Sequence, residues 1–210
     1  YKLERKYGHY GNSGDLIYVW GGQLFTYQFS HAWLDFRRLW DKKGADWWQN
    51  SINASKANRE FCIANHDVLP SLDADNWGLT ACNGPNGYAA YGAPPSGDIG
   101  ANNMHFTDGT VTPSGPIGSL PFMPQEVLQA MMKWFNNPQL WTGYGFSEAF
   151  NSSLPASWYC SNNSALIKGL SLIMIENYRS GLIWDTYMKH PVVAAGNQQI
   201  FGQQEPELLV

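Results

Sequence analysis

A chain of 210 residues with 44% apolar content is long enough for one domain with a sizeable core, yet only 14% of it is charged and its net charge is −4. Without a basic stripe, that balance excludes a nucleic-acid binder, whose phosphate backbone demands clustered Lys and Arg. No apolar run reaches the ~18 residues of a membrane span.

The first residues, YKLERKYGHYGN, carry no initiator Met and no signal-peptide character, and read as a cut through a longer protein. After Gly21 and Gly22, the residues Leu24, Phe25, Phe29, Ala32, Trp33, Phe36 and Trp40 recur at spacings of three and four. That spacing predicts one amphipathic helix, ended by Gly44. A second helix is predicted over about residues 46–65, with Trp47, Ile52, Ala54, Ala57, Phe61 and Ala64 on its buried side. Residues 77–113 then refuse either period. They are crowded with Gly, Asn and Pro, yet hold Trp77, Tyr88, Tyr91, His105, Phe106 and Asp108. Loops of that length in a compact domain are functional or disordered, and disorder comes with few aromatics and many charges. The segment therefore reads as an ordered loop walling a binding site.

Pro124 at a first helical position opens a third helix that stops before Pro138. A second aromatic, Gly-rich connector follows. Ser164 is placed to cap a last helix that runs to His190 and is closed by Pro191. That helix is apolar almost all round, which predicts burial of most of it. Alternating strands are scarce. The expected class is all-α: helical hairpins whose loops gather on one side, as in an (α/α)6 toroid. Six hairpins at ~30–35 residues each need roughly twice this length, so residues 1–210 are expected to form the C-terminal half of a single such domain. The three cysteines, Cys62, Cys82 and Cys160, lack zinc spacing and read as small buried residues. Neither a metal nor a cofactor is expected.

The function suggested by composition is sugar binding. Ten Trp, eleven Tyr and ten Phe with little charge suit neutral, hydroxyl-rich ligands, although a large aromatic core uses the same rings. Carboxylates at loop or helix ends are the candidates for acid or base chemistry. Asp108, beside Gly109 at the end of the long loop, is the first candidate; the plain alternative is an Asp-Gly turn. Glu148 is the second, with a helix N-terminal acid as its alternative. Trp77, Tyr88, Tyr91, Tyr144 and Phe146 are candidate sugar platforms, or wedges between loop and core. Asn83, Asn86 and Asn102 are candidate hydroxyl partners, or turn residues. Glu176 and Arg179, three apart on an apolar helix, predict a buried ion pair. Asp35 and Arg37 predict structural pairing first and substrate contact second.

Seven strings in order resemble one family: GGQLFTYQFSHAWLDFRRL, WWQNSINASKANREFCIAN, NWGLTACNGPNGYAAYGAPP, TDGTVTP, GSLPFMPQEVL, LWTGYGFSEAFN and LIMIENYRSGLIW. They resemble the glucoamylase-like family of (α/α)6-toroid glycoside hydrolases, which includes bacterial endo-β-1,2-glucanases and is related to cyclic β-1,2-glucan synthases. The resemblance implies a toroid, an oligo- or polysaccharide substrate of the β-glucan class, and a periplasmic or secreted setting. It also implies an aspartate where this chain has Asn83 and another where it has Ile167, and an acidic N-E-[AC]-M motif upstream of Gly21. A catalytically impaired carbohydrate-binding protein of the same fold is therefore the second expectation.

Overall fold

A computed structural model describes residues 4–97 and 105–203. Its elements run in chain order from a short ribbon, β1 (Tyr7–Gly8) paired antiparallel with β2 (Leu16–Ile17), into a 3-10 turn at Leu24–Tyr27 and the short helix α1 (Phe29–Trp33). A second 3-10 turn (Phe36–Arg38) leads to β3 (Leu39–Asp41) and the long helix α2 (Trp47–Ala64). Next come the hairpin β4 (Ala81–Gly84) and β5 (Gly87–Ala90), then α3 (Ser114–Gly118) and α4 (Pro124–Phe135). Two ribbons follow, β6 (Trp141–Thr142) with β7 (Gly145–Phe146) and β8 (Phe150–Asn151) with β9 (Trp158–Tyr159). The chain continues through α5 (Ala165–Arg179), α6 (Leu182–Tyr187), α7 (Pro191–Ile200) and β10 (Phe201–Gln203), which pairs back onto β3. The described residues are thus helical, with small two-stranded ribbons that the sequence pattern did not reveal.

Helix α2 is the central strut. Asp46 caps it by accepting from the Gln49 N–H at 2.8 Å, so its start matches the sequence reading. Its buried side is unusual, because Asn50, Ser51, Asn53, Ser55 and Asn58 share it with Ala54, Ala57, Phe61 and Cys62. Two of the asparagines act as peptide stand-ins for the chain they face. Asn58 accepts from the Leu79 N–H at 3.0 Å and donates to the Leu79 carbonyl at 3.2 Å. Asn50 does the same with Ile17, at 2.6 and 3.2 Å. Such bonds satisfy loop backbone that would otherwise be buried without partners. Ala64, predicted on the buried side, lies exposed.

The single helix predicted over residues 24–40 is broken. Leu34 and Asp35 are extended, and the Asp35 carboxylate accepts from the Arg37 backbone N–H while its two oxygens take the Arg37 guanidinium at 2.8 and 2.6 Å. That Asp-centred turn ends α1 after one turn. Residues 39–41 are then drawn off as a strand against β10. The predicted last helix is also broken. Gly181 takes a left-handed φ of +71°, which ends α5. Pro191 opens α7 at its first position instead of closing a helix. The expected burial fails as well, since only Leu170, Met174 and Asn177 of α5 are buried, and Leu166 and Leu172 are 67% and 68% exposed. The Glu176–Arg179 pair forms, at 2.9 Å, but on the outside of the helix. Helix α4 starts at Pro124 as predicted, with Glu126 in its first turn. Among the described residues, no helix is long and apolar enough to cross a membrane.

One extended core joins α2, α4 and α5 to the loops, centred on Trp77, Leu79, Cys82, Val111, Val127, Trp134 and Met174. Glycine lets two loops meet beside it. Gly22, at φ +64°, passes so close to Ala93 that a Cβ there would sit 1.8 Å from the Ala93 carbonyl oxygen.

Candidate active site

The segment 77–113 is ordered backbone over its described part, but it is more regular than its composition suggests. Ala81–Gly84 and Gly87–Ala90 form a tight hairpin, with Pro85 and Asn86 at the turn. The alternation of a strand then separates its side chains. Cys82 points into the core, where it receives the Thr112 hydroxyl at 3.0 Å, and Asn83 points the other way.

Asn83 meets Glu148. One oxygen of Glu148, Oε1, accepts both the backbone N–H of Asn83 at 2.9 Å and its side-chain Nδ2 at 2.8 Å. The other oxygen, Oε2, accepts from the backbone N–H of Ser164 at 3.0 Å. Ser164 is the N-cap residue of α5, and its own side chain makes no capping bond. Glu148 supplies the anion that this helix start favours. It does so from another segment, and it is 1% exposed. Three further ionisable groups feel its charge. Burial lowers the Lys168 ammonium pKa, which Glu148 partly restores. Burial pushes the Cys82 thiol up to about 12 and raises Cys160, with Glu148 adding to both.

Glu148 and Asn83 line a cavity of about 390 Å³. Its apolar wall is Phe25, Phe29, Tyr88, Leu166, Ile167 and Leu170, and its polar groups include Gln28, Thr80, Ser114 and Ser164. Phe25 and Phe29 meet edge to face at 5.8 Å. Apolar rings with a few convergent polar groups are what a small-molecule site offers. A larger hollow of about 680 Å³ is lined by Tyr18, Trp20, His31 and Trp47 among others. None of the sequence-predicted site residues lines it. Its Asp41 carboxylate is occupied by Arg5, by the N–H groups of Lys43 and Ala45, and by the Trp47 indole. The smaller cavity is the candidate site because it brings together three of the predicted residues, Asn83, Tyr88 and Glu148.

The other predicted residues are scattered. Asp108 does not line the cavity; it is half-buried and closes an Asx turn, its Oδ1 accepting from the Thr110 N–H at 2.9 Å. The Tyr91 hydroxyl reaches its Oδ2 at 3.5 Å. Tyr91 is 1% exposed and stacks on Phe106, so its ring has no face open to a ligand. Trp77, expected as a platform, is fully buried in the core, which corrects that expectation. Tyr88 is 72% exposed at the cavity, Tyr144 is 80% exposed on the β6–β7 turn, and half-buried Phe146 packs edge-on to Trp134 and Trp141. Asn86 is exposed at the hairpin tip, and Asn102 lies outside the described residues. Phe25, Phe29, Gln28 and Ser114 were missed as site residues. Phe25 and Phe29 share the apolar spacing of core positions, and Gln28 and Ser114 stand in no motif, so no local signal marks the four as cavity lining.

The family model described as glycoamylase, "Putative glucoamylase", matches residues 2–191. An exo beta-1,2-glucooligosaccharide sophorohydrolase (non-reducing end) of Parabacteroides distasonis is 33% identical over 182 residues, 86% of this chain and 24% of that protein. The crystal structure of an endo-beta-1,2-glucanase from Chitinophaga pinensis, a sophorotriose and glucose complex, superposes with a TM-score of 0.80 at 32% identity. That match covers 96% of this chain and 47% of the other. A beta-1,2-glucanase from Parabacteroides distasonis gives 0.73 at 32% identity, covering 85% and 24%. The chain therefore spans about half the length of the Chitinophaga structure and about a quarter of the two Parabacteroides proteins.

Proposed function

Because this chain belongs to the glycoamylase family, we propose that its protein is a glycoside hydrolase acting on β-linked glucan, with β-1,2-glucan the favoured substrate. The carrying observation is the Glu148 carboxylate beside Asn83 in a cavity walled by Phe25, Phe29 and Tyr88. Rings take the apolar faces of glucose units, while amide and hydroxyl groups take their hydroxyls. The names of the relatives favour β-1,2 linkage. In this reading the chain is the C-terminal half of an (α/α)6 toroid. Glu148 is the carboxylate that lines its cavity, Asp108 lies off that cavity in its own turn, and acid/base groups are contributed from outside these 210 residues. The test is release of reducing ends from β-1,2-glucan by the protein. Failure to release sugar from any β-glucan removes the activity.

A second reading is a binding protein that has lost turnover. Asn83 favours it, because an amide stands where the family resemblance implies an aspartate, and it is tied to Glu148 by two hydrogen bonds. Calorimetry with gluco-oligosaccharides separates the two readings: binding with no turnover supports the second, and measurable turnover excludes it.

A further inference from the structure

We propose that Glu148 is a positioning residue of the cavity and not its acid or base: it locks β4 to the start of α5 and presents Asn83 to a sugar hydroxyl. The proposal rests on the reading that the cavity takes a gluco-oligosaccharide. Three observations carry it. Both oxygens of Glu148 are occupied, Oε1 by two donors of Asn83 and Oε2 by the Ser164 N–H. A carboxylate in that state has its acceptor sites turned to the protein and is 1% exposed, so a leaving oxygen or a water has little access to it.

The second observation is what the clamp leaves over. Asn83 directs its Nδ2 and its N–H at Glu148 and keeps Oδ1 unengaged among the described residues. The Ser164 hydroxyl is likewise not used as a cap. Both residues line the cavity. An amide oxygen and a hydroxyl, held still, are suited to reading a sugar hydroxyl, and a neutral pair keeps that contact free of charge. The third is sequence distance. Asn83, Glu148 and Ser164 come from three segments, and Glu148 is the one group that touches both others. Its loss would free β4 and α5 together. The ionisable groups around it are Lys168 on α5, Cys82 on β4 and Cys160 after β9. Lys168 donates to the Phe146 carbonyl, so it does not neutralise Glu148 by direct contact.

The decisive variant is Glu148→Gln, in which one oxygen becomes an NH2 that faces a donor. Amide hydrogen exchange at Asn83 and Ser164 is expected to accelerate at least tenfold. The Kd for β-1,2-linked glucotriose, and KM, are expected to rise at least tenfold. In contrast, kcat should fall less than tenfold and keep both limbs of its pH profile. Glu148→Asp keeps the charge but is one methylene short of spanning both partners, and is expected to fall between wild type and Gln. A loss of kcat of about 10²–10⁴-fold, with one pH limb gone and KM unchanged, marks an acid or base and overturns the proposal. Unaltered exchange at both amides overturns it as well. Asn83→Ala is the second variant, since it keeps the backbone donor to Glu148. A Kd unchanged by that substitution removes the hydroxyl-reading role even if Glu148→Gln does not fold. If the wild-type protein neither binds nor cleaves any β-glucan, the sugar reading and the Asn83 ligand role fall together. Exchange in the Gln variant then still decides whether Glu148 holds the two segments.

Discussion

The indole Nε1–H of Trp184 donates to the backbone carbonyl of His31 at 2.5 Å, across 153 residues of sequence. This bond seats α6 on α1 and closes the pocket around the His31 ring, which packs at 4.5–5.8 Å from Phe36, Trp48 and Phe122. The Ser51 hydroxyl gives its proton to the Tyr27 carbonyl at 2.9 Å, so it receives one from His31 Nε2 at 2.8 Å, which places a ring proton on Nε2. Burial lowers the His31 pKa to about 3.

A histidine kept neutral in the fold titrates near 6.5 once unfolded. The unfolded state therefore binds the extra proton between pH 6.5 and about 3, and stability falls as pH drops through that window. The expected loss is about 2 kcal/mol at pH 5, read from urea unfolding at several pH values. His31→Asn is expected to flatten the profile there. Asp41 and Asp73 lose their contributions lower, below ~4. Burial pushes both carboxyls up, but Arg5 at Asp41, Lys133 at Asp73 and nearby N–H groups outweigh it and hold them below the ordinary value.

Asn83→Asp would place a second carboxylate about where Nδ2 now sits, 2.8 Å from Glu148 Oε1. Two carboxylates so close cannot both ionise, and the pair is expected to share a proton. The variant should be about 2–4 kcal/mol less stable at pH 8, with much of the loss recovered at pH 5. Denaturant unfolding at the two pH values checks this. An unchanged stability at both would mean that the pair separates freely.

Tyr88 and Trp77 lie in one segment and are expected to answer oppositely to truncation. Tyr88, 72% exposed at the cavity, should cost about 1 kcal/mol of oligosaccharide affinity as Tyr88→Ala, with Tm unchanged. Trp77, fully buried, should cost about 3–5 kcal/mol of stability as Trp77→Ala. Calorimetric titration and thermal melts separate the two effects.

Gly22→Ala is expected to destabilise the chain by more than about 2 kcal/mol. The added Cβ meets the Ala93 carbonyl oxygen at 1.8 Å, and φ is +64°. Gly87, also at positive φ but with open space around it, should lose only the backbone strain of about 1 kcal/mol as Gly87→Ala. Equilibrium unfolding of the two variants gives the difference.

The three free cysteines should be silent to thiol reagents in the native protein. Burial raises Cys62 and Cys82 to about 12 and Cys160 above its ordinary value. Titration with a chromogenic disulfide at pH 8 is expected to find no fast thiol in buffer and three per chain in denaturant.

Much of the local frame is legible in the sequence. The start of α2 near residue 46 and of α4 at Pro124 follow from local signals, apolar spacing in the first and the fixed φ of proline in the second. The breaks were harder to read. The apolar spacing of residues 24–40 promised one helix, yet Asp35 bends the chain locally and β10, from the far end of the sequence, pulls residues 39–41 into a ribbon. The apolar letters of residues 165–190 promised a buried helix, but α5 meets its neighbours along one side only.

By itself the sequence determined that the chain is helical, aromatic and weakly charged, that it carries seven strings of one hydrolase family, and that Asn83, Tyr88, Asp108 and Glu148 are candidate site residues. The tertiary structure decided which of them meet. Cap and turn signals act over a few residues, whereas Asn83 and Glu148 are 65 apart and Glu148 and Ser164 are 16 apart. Burial is also a property of the packed whole, so Trp77 and Tyr88, eleven residues apart in one Gly-rich segment, end as core and cavity wall respectively.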